Sequence, residues 1–167
     1  MPKGIKETSG LITISAALQE SGVSTFTTDR VDLQLNPLDN EVFVVYGIDL
    51  DVSPADLLPA TTCQVSASVS TTARSSVGGI SSPNVLAAAK ITTIDNGVTA
   101  VTNEFASDSA PSTQLEYLGI IATNDFYLNI EGANNNNAKT VNARLYGVRG
   151  TASSSVYAAL VQSELLS

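Results

Sequence analysis

The chain has 167 residues, the size of one domain, and is 43% hydrophobic, 14% charged and 5% aromatic. Eight Lys+Arg against sixteen Asp+Glu leave a net charge of −8, which excludes a nucleic-acid binder held by a general phosphate-neutralising surface. There is no histidine and no tryptophan, and the single cysteine, Cys63, excludes an internal disulfide, the usual zinc sites and histidine-based catalysis.

The start, Met1 to Glu7, carries Lys3 and Lys6 with no apolar stretch behind them, so no signal peptide is expected. No uncharged apolar run approaches the roughly 18–20 residues that span a bilayer. The expected product is a single domain over 1–167, made in the cytoplasm, with residues 1–10 and 151–167 as extended terminal arms.

Period-two alternation dominates the chain. Val31, Leu33 and Leu35 alternate with Asp32 and Gln34, as in a strand with one wet face. Asn36-Pro37-Leu38-Asp39-Asn40 is a turn, with proline fixing φ and Asn and Asp bonding back to the backbone. Glu41 to Val52 is the strongest strand. Val42, Val44, Tyr46, Ile48, Leu50 and Val52 share one face, and Phe43 and Val45 make the other face apolar before Asp49 and Asp51. Cys63 to Thr71 puts Cys63, Val65, Ala67, Val69 and Thr71 inward and Gln64, Ser66, Ser68 and Ser70 in water.

Gly78-Gly79 marks a flexible connection. From Ser82 to Lys90 the chain reads as a short helix, with Ser82 as N-cap, Pro83 at N1 and Lys90 at the negative end of the dipole. Strands are expected over 91–94, 98–105, 115–123, 126–131 and 140–148. Asp95-Asn96-Gly97 is a tight hairpin turn, Asn124-Asp125 joins another close pair, and 132–139, with Asn134 to Asn137, is an exposed hairpin loop. The segment 156–166 suits either period and is read as strand-like or irregular. The tally predicts an all-β fold: an eight-stranded antiparallel β-sandwich, a jelly roll, with one short helix near 83–90. The long links after Val52 and after Thr71 are the expected crossings between sheets.

Chemistry is sparse. Gly79-Ile80-Ser81-Ser82-Pro83 lacks the second glycine of a nucleophile elbow, and serine has no histidine to activate it. Nothing resembles a phosphate-cradling loop. Asp49 and Asp51 at a strand end, with Asp56 in the next loop, form a candidate metal site for calcium, which takes oxygen ligands. The competing reading is a solvated carboxylate pair. Cys63 reads as a buried structural thiol. No other cofactor is implied, and no enzyme.

What remains is apolar surface in excess of one core. Phe43, Val45, Leu118 and Ile120 lie in segments apolar on both faces and are the candidate interface residues, because subunit contacts consume such surface. The strand count, the Ser/Thr/Ala/Val/Asn-rich strands and the stretch Leu35-Asn36-Pro37-Leu38-Asp39-Asn40-Glu41-Val42-Phe43-Val44-Val45-Tyr46 resemble a single-jelly-roll capsid protein of a tailless bacterial or archaeal virus. That resemblance implies a virion location, with copies of itself and other virion proteins as partners. Such shells often enclose an internal lipid membrane, which is an expected partner. The sequence departs from RNA-virus jelly rolls in lacking a basic arm, so no direct contact with nucleic acid is expected. A surface fibre, pilus or adhesin subunit and a carbohydrate-binding β-sandwich module are the alternatives.

Overall fold

The computed structural model describes residues 1–107, 110–111 and 114–166. Among these, ten strands and one α-helix form two stacked antiparallel sheets. The strands are β1 Ile5–Glu7, β2 Ile12–Gln19, β3 Thr27–Asp32, β4 Glu41–Val52, β5 Thr62–Ser70, β6 Val85–Asp95, β7 Ala100–Ala106, β8 Gly119–Ile121, β9 Asp125–Ala133 and β10 Thr140–Ala152, and the helix is α1 Ser154–Leu165. In the first sheet β10 is flanked by β4 on one edge and by β2 and then β1 on the other, and β8 lies beyond β4. The second runs β3-β9-β5-β6-β7.

The pairings are nested: β2 with β10, β3 with β9, β4 with β8 and β5 with β6. Eight strands paired in this way and split between two sheets make a jelly roll; β1, β7 and α1 are additions to it. The expected all-β jelly-roll class is therefore the observed one. The alternating segment Ile12, Ile14, Ala16 and Leu18 supplies β2, a strand absent from the sequence-based count.

The central event is in β4. Its register against β10 shifts at Tyr146/Gly147, where Tyr46 is the extra residue on β4. A one-residue bulge reverses the phase of a strand. Phe43 and Val45 before it, and Ile48, Leu50 and Val52 after it, consequently all face the space between the sheets. Val42, Val44 and Tyr46 face outward into a second apolar cluster. The unbroken alternation expected over 42–52 is thus wrong at one residue, and the face assignments after Gly47 invert. Gly147 makes this possible: a Cβ there would collide with the Val44 carbonyl oxygen and with the Phe43 ring.

The α-helix forms elsewhere in the chain than expected. Residues 83–90 are no helix: Ala87, Ala88 and Ala89 are paired with Val69, Ser68 and Ala67 in β5–β6. An alanine run favours a helix only weakly, and ladder pairing with neighbouring strands overrides it. Segment 154–165 is the helix. Its Val156, Tyr157, Leu160 and Val161 lie over Val42, Val44, Ala122 and Val148, and periodicity of this kind becomes decisive once the apolar sheet face beneath it exists. Both ends of the chain pack on the sandwich: Ile5 to Glu7 pair with Gly150 to Ala152, and the Ser153 N–H donates to the Gly4 carbonyl at 2.8 Å.

The link after Val52 crosses between sheets as expected, but the one after Thr71 does not, since β5 and β6 are neighbours in one sheet. Residues 72–84 instead fold over the outer face of β5. Ser68 Oγ donates to the Val77 carbonyl at 2.6 Å, Ser70 Oγ to the Thr72 carbonyl at 2.9 Å, and Asn129 Nδ2 to both serines at 3.2 and 3.1 Å. Ser68 and Ser70, expected in water, are fully buried as a polar floor under this loop. Asn124-Asp125 and 132–139 likewise join strands of different sheets and are corners, not hairpins.

Substituting Gly147→Ala is expected to lower unfolding stability by about 2–4 kcal/mol, as overpacking against backbone does. Gly10→Ala, where an added Cβ meets nothing within 4 Å, serves as the neutral control. Urea denaturation of the two variants checks this.

Candidate assembly surface

The interface candidates from sequence divide between interior layers. Phe43 and Val45 are 1% and 0% exposed inside the sandwich, with Leu118 packed against the same core. Ile120 packs in the outer cluster with α1. Sequence alone makes these side chains surplus because neither α1 nor the β4 bulge is visible in it; within the folded chain Phe43 and Val45 are fully covered, and Leu118 and Ile120 are partly buried.

The exposed apolar groups lie elsewhere. The β6–β7 hairpin is closed by Asp95-Asn96-Gly97, as expected. Asp95 Oδ1 accepts from Gly97 N–H at 2.7 Å, and Asn96 Oδ1 accepts from the Val98 and Thr99 N–H groups at 2.9 and 2.8 Å. On its outward face Ile94 stands opposite Val101, Thr92 opposite Asn103, and Lys90 opposite Phe105. Val101 and Phe105 are 53% and 51% exposed. Beside them Lys90, Phe105, Ala88, Ser66, Gly79 and Ile80 line a groove of about 490 Å³.

β7 is also the outermost strand of its sheet, and each of its residues is exposed. Ser107 N–H donates to the Ala88 carbonyl and Asn96 N–H to the Thr99 carbonyl, so bonded pairs alternate between them. The N–H and C=O groups of Ala100, Thr102, Glu104 and Ala106 therefore point away from β6. An edge of this sort is a template for another strand unless charge, proline or a bulge protects it. The opposite edge strand, β3, is protected by Asp29, Arg30 and Asp32, with Arg30 3.4 Å from Asp125. β2 is uncharged too, but every second residue of it is turned into the core. β7 has one charge, Glu104.

The three aspartates are not brought together. Asp49 and Asp51 sit exposed on the outer face of the first sheet. There Asp49 Oδ2 accepts from the Tyr146 hydroxyl at 3.2 Å, and Asp51 Oδ2 lies 3.5 Å from Asn142 Nδ2. Asp56 is at a corner, where Lys139 Nζ donates to its Oδ1 at 2.5 Å and to the Pro54 carbonyl at 2.9 Å, and Asn136 N–H donates to its Oδ2 at 2.7 Å. Among the described residues no three His, Cys, Asp or Glu groups are placed to share a metal ion. The Asp56 carboxyl is held below its ordinary pKa of 3.8, first by the Lys139 hydrogen bond and then by the Asn136 N–H.

The same corner shows what sequence reasoning missed. Glu20, 4% exposed, accepts from the N–H groups of Thr25, Gly132 and Lys139. Asn135, expected in an exposed loop, is buried, with Nδ2 donating to the Gln64 carbonyl and Oδ1 accepting from Asp56 N–H. Cys63 is buried as expected and donates to the Asn134 carbonyl at 3.2 Å. No isolated signal marks such residues, because each acts on backbone groups distant in sequence.

No family description and no curated protein matches the chain. Among solved structures, one of Desmodium yellow mottle tymovirus aligns over 92% of this chain and 93% of that chain, with 10% identity and a TM-score of 0.33. A crystal structure of the tailspike protein gp49 from Acinetobacter baumannii bacteriophage Fri1, a capsular polysaccharide depolymerase, aligns over 86% of this chain and 19% of that chain, with 12% identity and a TM-score of 0.22. Likenesses this distant carry no functional argument.

Asp56→Asn removes the ion pair and leaves Lys139 buried, and is expected to cost about 1–3 kcal/mol. Because the folded-state pKa of Asp56 is depressed, its contribution is fully present above pH 3.8 and is lost as pH falls from there through the lower native value. Denaturation of the native protein and the variant between pH 7 and pH 2 should therefore show their stabilities converging only at the acid end.

Proposed function

We propose that this protein is a non-catalytic structural subunit of a virus particle, associating with copies of itself and with other virion proteins through the edges and faces of its sheets. The observation that carries the reading is β7: an outermost strand with every residue exposed, one charge and two large apolar side chains, on a jelly-roll body. Monomeric proteins shield such edges, whereas assembly subunits use them. The net charge of −8 supports contacts with protein in preference to nucleic acid. No helix among the described residues is long and apolar enough to cross a membrane.

Sedimentation velocity over a wide concentration range, with electron microscopy of the same samples, tests the proposal. Discrete oligomers or shells are expected. Glu104→Pro removes an outward N–H without removing a bond to β6, and proline is tolerated on edge strands. It should weaken association by about tenfold or more while leaving the melting temperature within a few degrees. A chain that stays monomeric at high concentration, and is not recruited by other proteins of its source, overturns the proposal.

A further inference from the structure

β8 is three residues long and bonds to only Phe43, Val44 and Val45 of the twelve-residue β4. Beyond Val45 that edge of β4 has no strand neighbour among the described residues; it opens on a cavity of about 360 Å³ lined by Ile48, Leu50, Ala87 and Ala106, among others. A strand this short contributes little ladder of its own. Ile121 of β8 is fully buried in the sandwich core, and the segment that follows β8 is tied to α1. Glu164, in the last turn of α1 and 7% exposed, accepts from the Ala122 N–H at 2.6 Å and the Thr123 N–H at 2.9 Å, the two amides that come directly after β8.

A carboxylate in the last turn of a helix opposes the helix dipole, so this placement is compensated by the two amides it binds. Charge-assisted bonds to backbone N–H groups are among the stronger hydrogen bonds. Ile120 and Ala122 also pack in the cluster that α1 covers, with Leu160 and Val161. The helix itself is held over the sheet by side chains that are only partly buried, Val156, Tyr157, Leu160 and Val161, and its N-cap Ser153 makes no side-chain capping bond. It is thus less firmly packed than the sandwich, whose Phe126, Leu128 and Ile130 are fully buried.

We infer that α1, Glu164 and the Ala122–Thr123 segment form one latch that opens as a unit, ahead of the sandwich, and that Glu164 is the positioning residue coupling the helix to that segment. Opening uncovers the apolar face of Val42, Val44, Ala122 and Val148. The latch is a property of the single subunit and stands independently of the assembly reading.

Native-state hydrogen exchange on the full chain, at concentrations below association, tests it. In Glu164→Gln the amide side chain can accept one N–H but opposes the second. Exchange should become about tenfold or more faster at Ala122, Thr123 and throughout α1, with β9 unchanged. Val156→Ala, at the other end of the helix, should accelerate the same set, including Ala122 and Thr123. The inference is overturned if Glu164→Gln affects only Ala122 and Thr123, if Val156→Ala affects only α1, or if α1 exchanges only together with β9. Should Glu164→Gln fail to fold, Val156→Ala alone decides.

Discussion

The bulge at Tyr46 is the constraint on which the rest of the molecule depends. β4 serves two apolar layers, and a regular strand would dedicate each alternate residue to one layer throughout. Inserting one residue lets Phe43, Val45, Ile48, Leu50 and Val52 all point between the sheets. It leaves Val42 and Val44 outside as the floor for α1, while Asp49 and Asp51 return to water. The bulge requires a neighbour without a side chain, and Gly147 supplies it: its missing Cβ is the space occupied by the Phe43 ring and the Val44 carbonyl. One glycine on β10 thereby sets which half of the sheet can carry a helix and which half stays polar.

Much of the polar content of this chain works internally. The low charge suggests a hydroxyl and amide surface, yet Ser68, Ser70, Asn129 and Asn135 are buried. Three of the links between the sheets, at 20–26, 53–61 and 134–139, converge on Glu20, Asp56, Asn135 and Lys139. Buried backbone groups must be satisfied, and a corner between sheets has no ladder to do it. Two carboxylates, Glu20 and Glu164, take that role at separate places, each collecting N–H groups from segments far away along the chain.

The class of fold is legible in the sequence because period-two alternation in β4, β5 and β9 is a local signal. The bulge is not, since a phase change is invisible until the partner strand fixes the register. Ala87-Ala88-Ala89 and Val156 to Leu166 mislead for a related reason: weak local propensity in both cases yields to the surface each segment meets. The candidate surface is half legible. An apolar surplus exists, but sequence locates it at Phe43 and Val45, which the fold buries, and at Leu118 and Ile120, which it half covers, while Val101 and Phe105 look like parts of an ordinary strand. Exposure belongs to topology: β7 is open because it is last in its sheet, and nothing within Ala100–Ala106 says so.

The position of β10 has a consequence for how the molecule comes into being. It is the last of the described strands, yet it stands between β4 and the β2–β1 edge and bonds to all three. During translation, the early strands of that sheet have no shared neighbour until β10 has been made. A nascent chain stopped short of Thr140 therefore holds β2 and β4 as separate ribbons, apolar on one side and unable to close. Long-range pairing of this kind is slow and leaves strands exposed while it waits, so this sheet closes only once β10 has left the ribosome.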